Sequence, residues 1–133
     1  MSLNLNELES VITLTHPREI NYETLCHLHD RLTHFENQLD FSPNRLHDLS
    51  GVEEFQIQFN EINYVSSRWR NVPLKNPVKA AFVAPRTIQL GYARMFQTLN
   101  QNPRVEIQIF LSTDYAWAWL KTPPLPSFQP QST

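Results

Sequence analysis

Apolar residues along this chain recur with two periods, and the switches between them mark its elements. Val78 to Ala84 is apolar on both faces except at Lys79, the pattern of a strand covered above and below in a parallel sheet, so it is expected to be internal. Ile88, Tyr92, Met95, Phe96 and Leu99 then recur at helical spacing behind Thr87, whose hydroxyl suits an N-cap, and this face is expected against the sheet. Gly91 lies inside that helix at a cost of about 1 kcal/mol relative to alanine, for which a close approach of neighbouring backbone is the expected compensation. Asn102-Pro103 ends the helix. Val105, Ile107 and Ile109 alternate with Glu106 and Gln108, which predicts a half-wetted strand at a sheet edge, and Ser112 to Leu120 follows as a helix.

The first half repeats the theme. Val11 to Thr15 is β-branched and apolar, and Pro17, lacking an amide hydrogen, closes it as a strand. Ahead of it, Leu3, Leu5 and Leu8 alternate with polar residues, a pattern open to either a short strand or a first helical turn. Leu25, Leu28, Leu32, Phe35 and Leu39 form one helical stripe, with His27, Asp30, His34 and Asn37 turned away from it. After the turn at Ser42-Pro43-Asn44, Arg45 to Leu49 reads as a second strand. Phe55 to Phe59 reads as a loop or short extended segment, followed by a helix from about Asn60 to Arg70 carrying Ile62, Val65 and Trp69 inward.

Four strands, each followed by a helix, predict an α/β class: a single domain over residues 1–122 with a four to five stranded, mainly parallel sheet. Crossovers are expected to be right-handed, while periodicity leaves the strand order open. Residues 123–133 form a proline-rich tail that suits neither helix nor sheet.

Composition narrows the function classes. The chain of 133 residues carries a formal charge of −2, so bulk electrostatics give no attraction to nucleic acid or anionic lipid. Cys26 is the single cysteine, which excludes an internal disulfide and fits a reducing compartment. Neither a leader pattern nor a run of about 18 apolar residues is present, so a cytoplasmic protein without membrane insertion is expected.

Candidate chemistry is sparse. Arg86 and Thr87 open a helix at a strand's carboxyl end, where free amides and a guanidinium could take a phosphate or carboxylate, with His16 and Ser50 near the matching ends of other strands. Pro85-Arg86-Thr87 has no glycine for a phosphate loop, and an ordinary capped helix explains the same residues. His27 and His34 share a helix face but stand roughly 10 Å apart along the axis, too far to share one metal ion, so no metal is expected. His47 reads as a hydrogen-bonded sheet histidine, and Asp48 as a partner for the backbone of the turn after it. Neither Cys26 nor Ser50 has the base and orienting partner that a nucleophile needs, so no catalytic residue is assigned. Arg68 and Arg70 flank a tryptophan on the buried stripe, a core arrangement more than a nucleic-acid one. Trp117 and Trp119 point to different sides of the last helix. One is expected in the core and the other exposed or covered by Pro123 to Phe128 or a partner subunit, making Trp117, Trp119 and Phe128 the candidate interface residues.

Ala93-Arg94-Met95-Phe96, Val105 to Phe110 and Ala116-Trp117-Ala118-Trp119-Leu120, together with Asp48-Leu49-Ser50-Gly51-Val52, resemble the SpoIIAA-like family, related to the STAS domains of anti-sigma factor antagonists. The resemblance spans roughly Val11 to Leu120. It implies a bacterial-type β/α superhelix with sequential strand order, helices largely on one side, and an opening hairpin that must here be short or missing. Those antagonists present a serine in an Asp-Ser-Ser-Gly turn. This chain offers Phe55-Gln56-Ile57-Gln58 in that region, so the phosphorylation switch is not carried over. What the resemblance implies is a non-enzymatic binding or regulatory module without cofactor, acting through a protein partner or as a homodimer. The alternative it allows is a carrier or sensor of a small anionic or lipid-like ligand, as in the CRAL-TRIO lipid carriers.

Overall fold

The computed structural model describes residues 2–7, 9–70, 72–100 and 102–122. The proline-rich tail and Phe128 lie outside the described residues. Ser2–Asn6 (β1) and Val11–Thr15 (β2) form an antiparallel hairpin, so the leucine alternation left open above resolves as a strand. Its turn passes through Ser10 at φ 55°, and the Asn6 side chain accepts from the Glu9 amide at 3.1 Å. Glu19–Asn21 (β3) leads into Tyr22–Glu36 (α1), which starts on a reciprocal capping box. Asn21 Oδ1 takes the Thr24 amide at 2.8 Å, and Thr24 Oγ1 takes the Asn21 amide at 3.0 Å.

Asn44–Asp48 (β4) comes next, followed by Glu54–Gln56 (β5) and Phe59–Arg70 (α2). The segment around Phe55 is a strand of three residues, paired in parallel with β3 through Ile20 and Phe55. Val78–Val83 (β6), Thr87–Leu99 (α3), Val105–Phe110 (β7) and Thr113–Leu120 (α4) complete the chain. The main sheet has the order β1-β2-β4-β6-β7, parallel except for β1. The Phe82 strand is therefore internal and the Val105 strand an edge, as the patterning predicts.

Register and burial divide the helices unequally. One face of the sheet carries Ile12 and Leu14 of β2, Arg45 and His47 of β4, Ala80 and Phe82 of β6 and Ile107 and Ile109 of β7, aligned row by row. Leu25, Leu28 and Leu32 of α1, Ile62 and Val65 of α2 and Tyr92, Ala93 and Phe96 of α3 cover it. The other face carries Val11, Leu46, Ala81 and Val83, covered by Ala116 and Leu120 of α4 alone.

Four expectations around α3 and α4 need correction. Arg86, not Thr87, is the N-cap, and Gln89 closes the cap by accepting the Arg86 amide at 3.1 Å. The buried stripe of α3 is Gln89, Tyr92, Ala93 and Phe96, while Ile88 is 52% exposed. Ile88 falls off the stripe because Gln89 turns inward to bond the Val52 carbonyl, fixing the helix rotation. Gly91 faces open space, with nothing within 4 Å of where a Cβ would stand, so no close backbone approach explains it. Trp117 and Trp119 are both half-buried against the α4 cluster, because the face holds small residues and leaves room for two indoles to lie along it. Trp119 packs on Phe110 at 5.6 Å, with the Lys79 ammonium 5.2 Å from its ring.

The open edge of β7 is partly blunted. Its even-numbered residues face β6, as the Val78 amide bonding Arg104 O and the Ala84 amide bonding Phe110 O show, so Val105 O and Ile107 O point outward. Asn100 Nδ2 and Gln97 Nε2 of the α3 end donate to those two carbonyls, each at 2.9 Å. Side chains thus occupy acceptors that another chain's strand would need.

Candidate functional site

Among the described residues, two places bear on the candidate chemistry. The first is the carboxyl end of the parallel strands, where His16, Ser50, Arg86 and Thr87 all lie just past β2, β4 and β6. They do not form one open anion cradle. Arg86 Nη2 donates to Val52 O at 2.8 Å, and Gln89 Nε2 donates to Val52 O at 2.9 Å and to Ser50 O at 3.2 Å. The first turn of α3 is used to hold the chain's own turn after β4. Asp48 Oδ1 accepts from the Ser50 amide at 2.9 Å and from the Ser50 hydroxyl at 2.6 Å, the turn role expected of it. Thr87 is exposed on the first turn of α3.

His16 is buried instead of lining that rim. Its amide bonds Asp48 O at 3.1 Å, and its Nε2 meets His47 Nδ1 at 3.1 Å. Burial lowers the His16 pKa to about 4, against a smaller upward pull from Asp48. Burial, then His16 and Arg45, hold His47 well below the ordinary imidazole value. Both rings are neutral at pH 7, so one donates to the other. His47 also lies flat on Phe82, with ring centroids 4.3 Å apart and planes 6° from parallel.

From His47 the polar groups continue inward to the second place, a cavity of about 30 Å³ between α1, α2, α3 and the sheet. The side chains that matter there are His29 and Glu36 of α1, Arg45 and His47 of β4, and Ser66 and Trp69 of α2. Arg45 and Glu36 form a two-pronged ion pair, Nε to Oε2 at 3.2 Å and Nη2 to Oε1 at 2.9 Å, with both side chains under a tenth exposed. The His29 ring stacks beside Trp69 at 5.7 Å, and burial lowers its pKa to about 4, aided by Arg68 and opposed by Asp30. Ser66 Oγ and Trp69 Nε1 are buried without a hydrogen-bond partner. A few such groups occur in native interiors, and water or a ligand is the usual reason.

The sequence offered a signal for this cavity that the stripe reading passed over. Glu36 stands four residues past Leu32 on the apolar stripe of α1, Arg45 is in phase with His47 on β4, and Ser66 lies between Ile62 and Trp69 on the inward face of α2. Charged and hydroxyl residues in core register mark a buried polar network when three elements carry them at once. Among the described residues, no group of three His, Cys, Asp or Glu side chains is placed to hold a metal ion, and no helix is long and apolar enough to cross a membrane.

Comparison of the chain with protein-family models, with curated proteins and with solved structures gives no match.

Proposed function

We propose that the protein is a non-enzymatic, STAS-like binding module that contacts a partner protein through the carboxyl end of its sheet. The observation that carries this reading is a set of apolar side chains left exposed at that end. Leu111, just past β7, is 66% exposed, Tyr115 in the first turn of α4 70%, and Ile88 in the first turn of α3 52%. Each is expensive to leave in water, and all three follow neighbouring strands. The resemblance to anti-sigma antagonists puts partner contact at the same end, after the strand matching β4. Sequential strand order and three helices on one face accord with that kinship. Pairing of two β7 edges is the weaker route, because Asn100 and Gln97 occupy its outward carbonyls.

The lipid-carrier alternative calls for an acyl-sized tunnel between helices and sheet. The cavity there is about 30 Å³, the space of a few water-sized groups.

The test is photo-crosslinking from position 115, with a benzoyl-phenylalanine in place of Tyr115 in the full chain. A discrete adduct with another protein in cell extract, lost with Leu111→Asp and Ile88→Asp, supports the reading. An adduct only between copies of the pure chain changes the partner to a second copy. Absence of any specific adduct ends it.

A further inference from the structure

We propose that the cavity under α2 is a binding site for a small hydrogen-bond-accepting anion, a halide or formate, held by Trp69 Nε1–H and Ser66 Oγ–H. This inference is independent of the partner surface above. The cavity of about 30 Å³ exceeds the 10–15 Å³ or so that one water needs, which leaves room for a small anion. Ser66 is only 4% exposed, and neither its Oγ nor Trp69 Nε1 has a partner. Three residues apart on α2, they share a face, and both line the cavity.

The two unpartnered side-chain groups at the cavity, Trp69 Nε1–H and the Ser66 hydroxyl, can both donate. An indole N–H can only donate, and so can a guanidinium. Both oxygens of Glu36 are already taken by Arg45, which compensates the one carboxylate at the wall. A guest that accepts therefore completes the site, while one that donates finds Ser66 Oγ and the histidine lone pairs.

Such a guest would be linked to proton uptake. The titratable and charged groups around it are His29 and Glu36 from α1 and Arg45 and His47 from β4, with His16 behind His47 and Asp30 and Arg68 beside His29. The side of α3, β6 and β7 supplies Phe96, Asn100, Ala80, Phe82, Val105 and Ile107, which do not titrate. A buried anion favours the imidazolium forms of His29 and His47, and by reciprocity their protonation favours the anion. Binding is expected to tighten as pH falls from 6.5 toward 4, where the imidazole of His29 takes up its proton.

The experiment uses the full chain with Trp117→Phe and Trp119→Phe, leaving Trp69 as the single indole. Sodium bromide and sodium formate are titrated at constant ionic strength against sodium sulfate, reading indole fluorescence and melting temperature. Expected are a saturable bromide quench, a salt-induced gain in melting temperature about 3 °C larger than that of Ser66→Ala, and at least a threefold tighter apparent Kd at pH 4.5 than at pH 6.5. Ser66→Ala is expected to weaken binding about tenfold. A quench linear in bromide, or affinity unchanged in Ser66→Ala, would mean that the cavity holds water only. Because either variant could fold poorly, anomalous scattering from bromide-grown crystals of the unaltered chain is the second readout. A peak between Ser66 and Trp69 supports the site, and its absence overturns it.

Discussion

The two faces of the sheet solve the same burial problem with different chemistry, and β4 shows both solutions within three residues. Leu46 turns toward α4, into a cluster with Val11, Ala81, Val83, Ala116 and Leu120 in which every buried member is apolar. Arg45 and His47 turn the other way, under three helices; His47 is as deeply buried as the leucine, and Arg45 is buried as well. An apolar face tolerates loss in graded steps, since each removed methylene costs its own transfer and cavity energy. A polar interior is less forgiving, because deleting one partner strands the other without water. The three-helix face accepts that risk with matched pairs, Arg45 with Glu36 and His47 with His16.

The largest expected effect tests that difference directly. Glu36→Ala leaves the Arg45 guanidinium buried and unpaired and should cost about 3–5 kcal/mol in urea unfolding, whereas Glu36→Leu with Arg45→Met should recover most of it. A loss under about 1 kcal/mol for the single change would place the pair in water and break the contrast. Acid comes next. In the unfolded chain His16 binds its proton near pH 6.5, but in the folded protein only near pH 4. Protons therefore favour unfolding between those values: stability is full above pH 6.5 and falls as pH drops toward 4, by about 3 kcal/mol from this residue. Thermal melts across that window check it, and His16→Gln should flatten the slope. On the opposite face, Leu46→Ala should cost about 2–3 kcal/mol in the same urea assay with no new pH dependence. The smallest effect lies outside both faces. Gly91→Ala, in open space on a regular helix, should raise stability by about 0.8 kcal/mol, and a loss there would mean that something unseen crowds α3.

Where the hydrophobic period was unambiguous, the fold was legible in the sequence. Val78 to Val83 announced an internal strand because both of its faces are apolar, and Val105 to Ile109 an edge because Glu106 and Gln108 alternate with the apolar residues. Around Phe55 the pattern left a loop or a short extended segment open, and the structure has the second, because the strand's pairing with Ile20 is a tertiary fact. The rotation of α3 was misjudged because a stripe drawn from apolar residues alone left out Gln89, whose amide is the clamp on Val52. Gly91 was given a packing role only because a glycine inside a helix carries a cost, and the open space around it shows no such compensation. The cavity went unread for a related reason: Glu36, Arg45 and Ser66 sit on three separate elements, and a stripe taken one element at a time treats each as an isolated exception.

The most direct test of the polar face is the titration of the histidine side chains by nitrogen-15 NMR. With the three helices closed over β4, His16 and His29 should stay neutral until pH approaches 4, and His47 should stay neutral well below pH 6.5, its Nδ1 shift reporting the bond to His16. If all three take up protons near pH 6.5 like free imidazole, the interior described for this face is open to water and the account built on it fails.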